Sequence, residues 1–342
     1  MKKSFKKAAM LLTVAIMCMF MTATGPTKAV AEQTFERTIR AVAIPKVMGI
    51  AYFDDSYVGF RAGAEEFNID LIWDGPTTGS AIEQARMAED YLVQRVDAIL
   101  MCPNDSTALE TTMQRVKDAG VLSINWDSNF DNSITDYCII SVDPASYGEM
   151  IFEQAAASIG GKGEYAILCA SLEVADHNAW MEAGLAYLAK NYPDMTLVTD
   201  PIPTNEDQEQ AYTKTLELIN TYPDLRGIIG ISSVVAPGSA QAIREQGLQD
   251  TIQIGGTSLP SQVADYFRDG AVDFSVLWRP ADVAYVTMYV TRMAFEGKPI
   301  LDGTTLAGHG SGEITIHVTD GNIIIPTVPM VFTADNYMNY DF

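Results

Sequence analysis

The chain has 342 residues, 48% of them hydrophobic, and carries 44 acidic against 22 basic side chains for a formal net charge of −22 at pH 7. This length and apolar content are enough for two globular domains. So strong a negative charge argues against binding to nucleic acid or anionic lipid, because both depend on clustered Lys and Arg.

The first 31 residues have the layout of a secretory signal peptide. A basic segment from Lys2 to Lys7 precedes the apolar run 8–20, and small residues follow at 29–31. The apolar run is shorter than the ~20 residues that span a bilayer. We therefore predict cleavage after Ala31 and a mature protein in the periplasm.

The four cysteines raise two separate questions. Cys18 ends the apolar run, where a bacterial lipoprotein carries its lipidated cysteine, but residues 15–17 lack the small residue expected directly before it. Cleavage without a lipid anchor is therefore favoured. The mature cysteines, Cys102, Cys138 and Cys169, are odd in number and lie in apolar runs. This pattern predicts buried thiols rather than a disulfide framework, and leaves a single disulfide pair open.

From residue 40 onward, short apolar runs alternate with amphipathic stretches. The apolar runs predict strands at 41–44, 69–73, 97–101, 121–126, 137–142, 165–169, 196–199, 227–231, 252–255 and 274–277. The amphipathic stretches predict helices at 57–67, 80–95, 106–119, 145–159, 176–190, 207–221, 235–246, 260–269 and 281–296. Continuous rather than alternating apolar runs are typical of parallel strands covered on both faces. The sequence therefore predicts a doubly wound α/β fold.

Ten strands are too many for one ordinary sheet of this kind, so we expect two lobes. The chain is expected to cross between them near 143–144 and again near 278–280. We assign 32–142 plus 279–310 to an N-terminal lobe.

The remaining segments, 143–278 plus 311–342, are assigned to a C-terminal lobe that includes the hinge and tail. Within the last of them, 313–318 and 322–325 predict a hairpin with an Asp-Gly turn. Residues 334–342 are expected to form a short helix or a tail.

Ligands of open α/β sheets bind beyond the carboxyl ends of the strands. Residues after the predicted strands mix aromatic rings with hydrogen-bonding groups, as a sugar site requires, because rings pack on sugar C–H faces and polar groups bond its hydroxyls. The predicted ligand-binding residues are Lys46, Tyr52, Phe53, Asp54, Asp127, Asp176, His177, Ser232, Ser233, Thr257 and Trp278.

Simpler interpretations exist for several of these residues. Lys46 directly follows a buried strand and needs a counter-charge, for which Asp127 is suited. Asp176 also fits a helix N-cap, and Trp278 also fits packing in the hinge.

No catalytic motif is present. The three histidines lack metal-ligand spacing, and there is no Gly-x-Ser-x-Gly elbow. The glycine-rich stretch 308–312 precedes a hairpin rather than a helix, which favours a flexible connection over a dinucleotide loop. We therefore predict no catalytic residue, no cofactor and no metal site.

The mature chain resembles type I periplasmic sugar-binding proteins, the ligand-capturing components of ABC importers, in the branch that binds rhamnose and autoinducer-2. The segments that carry this resemblance are Ile44-Pro45-Lys46-Val47, Trp73-Asp74-Gly75-Pro76-Thr77, Asn125-Trp126-Asp127-Ser128, Asn178-Ala179-Trp180, Leu259-Pro260-Ser261, Leu277-Trp278 and Val331-Phe332-Thr333, with Asn336 and Tyr340-Asp341-Phe342.

This resemblance implies a monomer whose two lobes, joined by three segments, close over a small sugar and present it to a membrane permease. It also implies ligand contacts at Lys46 and Asp127, and at an acid–amide pair that falls on Asp176 and His177. The autoinducer-2 receptors have glutamine at the position of His177. They also have a proline and an alanine where this chain has Ile231 and Ser233. These differences favour a monosaccharide, deoxy sugar or polyol over autoinducer-2.

Three other classes of protein share part of this sequence pattern. A sugar-responsive repressor shares the implied fold but needs an N-terminal helix-turn-helix in place of a signal peptide. An exported hydrolase needs a pair of acids at catalytic spacing, which the sequence does not show. A sensory domain that presents its ligand to a membrane receptor uses the same binding chemistry and stays open as an alternative.

Overall fold

The computed structural model describes residues 35–128, 133–308 and 312–342, of which residues 37–342 form a unit of their own. The predicted signal peptide, including Cys18, and most of the glycine-rich stretch lie outside the described residues. Among the described residues, no helix has both the length and the apolar character needed to cross a membrane.

The helices fall where the amphipathic stretches predict them. They are α1 (Ala51–Glu66), α2 (Ala81–Val93), α3 (Ser106–Asp118), α4 (Pro144–Ser158), α5 (Ala175–Asn191), α6 (Gln208–Thr221), α7 (Val235–Gln246), α8 (Pro260–Asp269) and α9 (Pro280–Phe295), followed by a short 3₁₀ helix (Tyr337–Asn339) in the predicted tail.

The strands include every predicted one and several short additional ones. They are β1 (Ile39–Ile44), β2 (Ile69–Trp73), β3 (Ala98–Met101), β4 (Leu122–Asp127), β5 (Tyr137–Ile140), β6 (Gly163–Cys169), β7 (Met195–Leu197), β8 (Ile202–Pro203), β9 (Leu225–Gly230), β10 (Gln253–Gly256), β11 (Phe274–Leu277), β12 (Thr305–Ala307), β13 (Glu313–Thr315), β14 (His317–Thr319), β15 (Ile323–Ile325) and β16 (Met330–Phe332).

Two sheets carry the fold, which confirms the predicted doubly wound α/β class. In the described residues the first sheet has the order β14-β15-β5-β4-β3-β1-β2, and the second has the order β16-β11-β10-β9-β6-β7, with β8 also on β6. Strands β1 to β5 pair in parallel, as do β6, β7, β9, β10 and β11. Strands β12 and β13 form a separate antiparallel ribbon.

The end of the chain differs from the prediction. Residues 311–342 were assigned to the C-terminal lobe, but the strand pairing divides them between the two sheets. The hairpin of β14 and β15 joins the first sheet through a parallel pairing of β15 with β5, in which Ile323 lies opposite Cys138. Only β16, paired antiparallel to β11, belongs to the second sheet. The hairpin covers what would otherwise be an exposed strand edge at β5.

The chain therefore passes between the two sheets at three places in the described residues. These connections are 141–143, 278–279 and 326–329. After the second connection, α9 packs against α1 and β4 of the first sheet.

Helix α1 begins at Ala51, earlier than the predicted start at residue 57. Tyr52, Ser56 and Phe60 follow one another at helical spacing and are all buried. Tertiary contacts of this buried face stabilise the first turn of α1. The acidic pair Asp54-Asp55 interrupts the apolar pattern there, so the predicted helix began only at residue 57.

Cys102, Cys138 and Cys169 are buried and none of them forms a disulfide with another described residue, which confirms the predicted buried thiols.

Helices α1 and α9 approach each other closely at Gly59, where an added Cβ would lie 1.8 Å from the carbonyl oxygen of Ala281. We expect Gly59→Ala to lower the free energy of unfolding by about 1–3 kcal/mol, because the helices must move apart. Urea denaturation measures this change. Gly79→Ala is the control, since the nearest atom to its added Cβ is 3.5 Å away. Equal stability of Gly59→Ala and the unaltered protein would contradict the prediction.

Candidate functional site

A cavity lies between the two sheets, where the carboxyl ends of their strands face each other. The space between its lining atoms, including space open to solvent, is about 360 Å³. The residues that line it are Lys46, Ile50, Tyr52, Phe53, Asp127, Asp176, His177, Trp180, Glu206, Ser232, Ser233, Thr257 and Trp278.

The structure brings ten of the eleven predicted site residues to this cavity. The exception is Asp54, which is exposed on α1. Because α1 already begins at Ala51, the preceding residues Tyr52 and Phe53 occupy its inward face, and Asp54 lies on the outside. Asp54, predicted to bind ligand, therefore does not line the cavity.

Asp127 is the last residue of β4 and the most heavily hydrogen-bonded acid of the cavity. Its Oδ1 accepts hydrogen bonds from the Tyr52 hydroxyl and, at 2.7 Å, from the Ser141 hydroxyl. The thiol of Cys102 donates to Oδ2 at 3.6 Å. Burial raises the pKa of Asp127, although the charge of Lys46 and the hydrogen bonds from Tyr52 and Ser141 act in the opposite direction.

Lys46 follows β1 and is only 3% exposed. In the described part of the chain its ammonium forms no ion pair or hydrogen bond, so the expected pairing with Asp127 is absent. Asp127 already bonds to neighbours in its own lobe. Burial disfavours the charge on Lys46, but attraction by nearby acids, Asp176 foremost, outweighs burial and raises its pKa. The ammonium is thus charged, buried and open to a ligand.

Asp176, in the first turn of α5, bonds across the cavity to the other lobe. The Ser128 hydroxyl, which directly follows β4, donates to Oδ1 of Asp176. Both residues are buried. Asp176 is not the N-cap of its helix, a position that Val174 holds. Burial acts to raise the pKa of Asp176. The positive charge of Lys46, the neighbouring His177 side chain and the hydrogen bond from Ser128 outweigh burial and lower this pKa.

A turn of unusual backbone geometry positions Asp127 and Ser128. Asp127 has φ +68°, a value that residues other than glycine seldom adopt, and the amide of Ser128 donates to the Trp126 carbonyl at 2.8 Å. This pair of features is typical of a γ-turn. The turn lets Asp127 bond within its own lobe while Ser128 reaches Asp176.

His177 is 5% exposed, and its Nδ1 is buried without a hydrogen-bond partner in the described residues. Its ring lies 4.9 Å from the Trp180 ring, centroid to centroid. Burial, and secondly the positive charge of Lys46, lower the pKa of His177 from 6.5 to about 3. The imidazole is therefore neutral at physiological pH and offers one donor and one acceptor nitrogen.

This depressed pKa predicts a loss of stability in acid. As the pH falls below 6.5, His177 becomes protonated in the unfolded chain. In the folded protein it stays neutral until about pH 3. From about pH 7 to about pH 5 the free energy of unfolding should fall by ~2 kcal/mol through this residue. Urea denaturation at both pH values should show a smaller fall for His177→Gln. His317→Gln, at an exposed histidine, should behave like the unaltered protein; equal falls in both variants would contradict the prediction.

Glu206 lines the cavity but was not predicted from the sequence. It follows β8, a strand of two residues next to Pro201 that showed no apolar run. The one available signal was an acid directly before Asp207, the N-cap of α6. The Ser232 hydroxyl donates to Oε2 of Glu206 at 2.5 Å. Burial raises the pKa of Glu206, against the opposing effect of Lys46 and Ser232.

Trp278, in the second connection between the sheets, forms an aromatic wall and is 1% exposed. Its Nε1 donates to the Tyr52 hydroxyl at 3.0 Å, which links the connection to Asp127 through Tyr52. Its ring lies 5.0 Å from Tyr147 and 5.9 Å from Trp180, centroid to centroid. Trp278 therefore packs within the second connection and also lines the cavity, and its contact with a ligand stays a prediction.

Two solved structures are similar to this chain over nearly their whole length. One is LsrB from Clostridium saccharobutylicum in complex with AI-2, with a TM-score of 0.82 and 24% identity over 89% of this chain and 100% of that one. The other is an ABC transporter solute-binding protein from Clostridium phytofermentas with bound L-rhamnose, with a TM-score of 0.82 and 19% identity over 90% of this chain and 99% of that one. At these identities the likeness concerns the fold.

Sequence relatives point to the same group of proteins. The chain is 24% identical over 194 residues to the D-ribose/D-allose-binding protein of Pseudomonas aeruginosa, covering 55% of this chain and 60% of the relative. It is 29% identical over 175 residues to the ribose import binding protein RbsB of Bacillus subtilis, covering 51% and 55%. The chain thus matches somewhat more than half the length of these relatives. The family model described as the periplasmic binding protein domain matches residues 41–299, and the chain therefore belongs to that family.

Proposed function

We propose that this chain is an exported substrate-binding protein that captures a monosaccharide, deoxy sugar or polyol between its two lobes and delivers it to an ABC permease. The family works outside the cytoplasmic membrane, which supports the interpretation of residues 1–31 as a signal peptide. We propose that the protein acts as a monomer.

The observation that carries the proposal is the convergence of aromatic rings and open polar atoms in one cavity between the sheets. Phe53 and Trp278 offer ring surfaces to the C–H faces of a sugar. The ammonium of Lys46 and Nδ1 of His177 have no partner in the described residues, and sugar hydroxyls can satisfy both. Ser233 and Thr257 add hydroxyls on the side of the second sheet.

We propose that the connections 141–143, 278–279 and 326–329 act as the hinge. One lobe would then contain the first sheet with α1, α2, α3 and α9, and the other the second sheet with α4 to α8. Closure brings Lys46 and Asp127 of the first lobe against Asp176, His177 and Glu206 of the second, and removes the ligand from water.

Autoinducer-2 is the second candidate ligand, for transport or for presentation to a membrane receptor. Lys46, Asp127 and Asp176, the positions that the autoinducer-2 branch is expected to use, all line the cavity. His177 and Ser233 line it as well and differ from that branch, which is why a sugar is preferred.

A thermal-shift screen of the purified protein tests the proposal with L-rhamnose, D-ribose, D-allose, ribitol and autoinducer-2. A ligand that binds the folded protein alone raises the melting temperature by mass action. A clear shift with one of the sugars or with ribitol, and none with the others, is the expected result. A shift with autoinducer-2 alone would favour the second candidate, and no shift with any compound would overturn both.

A further inference from the structure

Acids outnumber bases among the described residues that line the cavity. Asp127, Asp176 and Glu206 contribute three carboxylates, whereas Lys46 contributes one ammonium and His177 is neutral. Lys46 on its own would attract an anionic ligand. Asp176, the acid that acts most strongly on Lys46, offsets that attraction, so the remaining acids decide the sign of the charge that a ligand meets.

Asp127 accepts hydrogen bonds from Tyr52, Ser141 and Cys102, whereas Asp176 and Glu206 each accept one side-chain hydrogen bond in the described residues. The bond to Asp176 comes from Ser128 of the opposite lobe, so Asp176 also joins the two lobes. Glu206 accepts one hydrogen bond, from Ser232 to Oε2, and in the described residues Oε1 has no partner. The buried ammonium of Lys46 and Nδ1 of His177 are further polar atoms of the same cavity without a partner in the described residues.

The backbone holds Glu206 at the cavity. Asn205 and Glu206 have φ of +53° and +56°, a conformation that is rare for two successive residues other than glycine. The turn is anchored on β6, because the amides of Thr204 and Asn205 donate to the carbonyls of Cys169 and Ala170 at 2.8 and 2.7 Å. The side chain of Glu206 is thereby directed at Ser232 and the ligand space.

We propose that Glu206 determines the charge selectivity of the cavity: its Oε1 accepts a hydrogen bond from a ligand hydroxyl, and its negative charge excludes sugar acids and sugar phosphates. The ligand class is therefore an uncharged polyhydroxylated molecule. This inference rests on the proposed function. Its physical basis is that a negatively charged ligand group placed beside the half-buried carboxylate of Glu206 is repelled, and this repulsion opposes binding.

The test compares three matched pairs by titration of tryptophan fluorescence, since Trp180 and Trp278 line the cavity. The pairs are D-ribose and D-ribose 5-phosphate, D-galactose and D-galacturonate, and D-glucose and D-glucuronate. Measurements at about pH 8 favour ionised carboxylates. The unaltered protein should bind one neutral member at least ~10-fold more tightly than its anionic counterpart. Glu206→Gln should weaken binding of that neutral sugar. It should also reduce the ratio of the affinity for the neutral sugar to the affinity for its anionic counterpart at least ~10-fold.

Two further variants separate charge from position. Glu209→Gln removes the same charge from an exposed residue three positions along the chain and should leave the ratio unchanged. Ser232→Ala keeps the charge of Glu206 but frees its side chain, so affinity should fall while anions remain excluded. An unchanged ratio in Glu206→Gln, or equal binding of both members by the unaltered protein, overturns the inference and leaves the proposed function standing. Binding of an anionic member alone also overturns it, and binding of no member, with no response in the thermal-shift screen, overturns both.

Discussion

Replacing Asp127 by alanine is expected to weaken ligand binding at least ~100-fold. The carboxylate accepts from Tyr52, Ser141 and Cys102, all of which lose their acceptor in a buried place. The variant also removes one of the negative charges that favour the charged form of Lys46. The predicted mechanism thus differs from the loss of a direct Lys46–Asp127 ion pair. Isothermal titration with the ligand found by the thermal-shift screen measures the effect.

Two variants make this result interpretable. Asp127→Asn keeps the shape and one acceptor oxygen and should lose less affinity than Asp127→Ala. Asp54→Ala removes a nearby acid that lies outside the cavity and should bind like the unaltered protein. If Asp127→Ala keeps its affinity, or if Asp54→Ala loses as much, the assignment of Asp127 to the site fails.

We expect Trp278→Ala to abolish measurable binding and to lower the free energy of unfolding by about 3–5 kcal/mol. The indole is 1% exposed, packs among Tyr147, Trp180 and Tyr52, and lines the ligand space. Its removal leaves a void between the second connection and the cavity. Urea denaturation and isothermal titration, at a temperature where the variant stays folded, give the two numbers.

Trp278→Phe separates packing from hydrogen bonding. It keeps an aromatic ring but removes the Nε1 donor to the Tyr52 hydroxyl. The loss in free energy of unfolding should therefore be smaller than the loss in free energy of ligand binding. The matched control is Trp73→Phe, at a half-buried tryptophan on β2 that stacks on Tyr57 and does not line the cavity. Equal loss of affinity in both phenylalanine variants would show that Trp278 has no special link to the ligand.

Much of the fold could be predicted because its signals are local. Helices with a clear apolar face, such as α2 with its Ser80 cap, and fully buried strands such as β3 are specified by the residues within them. The hairpin of β14 and β15 has its own turn signal at Asp320-Gly321. Its attachment to β5 carries no such signal, because a pairing partner far along the chain leaves no local pattern.

The candidate site shows the same division. Lys46, Asp127 and Trp278 lie at or just after the ends of apolar strands, so the strand-end rule finds them. Glu206 follows a two-residue strand and depends on an anchored turn, which no periodicity reveals. Asp54 is the opposite case: it lies near a strand end, as the rule requires, but its side chain does not reach the cavity. The orientation of the first turn of α1 decides which side chains face inward, and the sequence pattern does not show that orientation.

The hydrogen bond from Ser128 to Asp176 joins the two lobes directly. The bond stabilises the closed arrangement and therefore shifts the balance between open and closed forms of the protein. Because apparent affinity scales with the fraction of molecules already in the binding-competent state, a hydroxyl that never touches the ligand can tune uptake. Natural substitution at residue 128 would then adjust how much sugar in the surroundings is needed for capture while the recognised sugar stays the same.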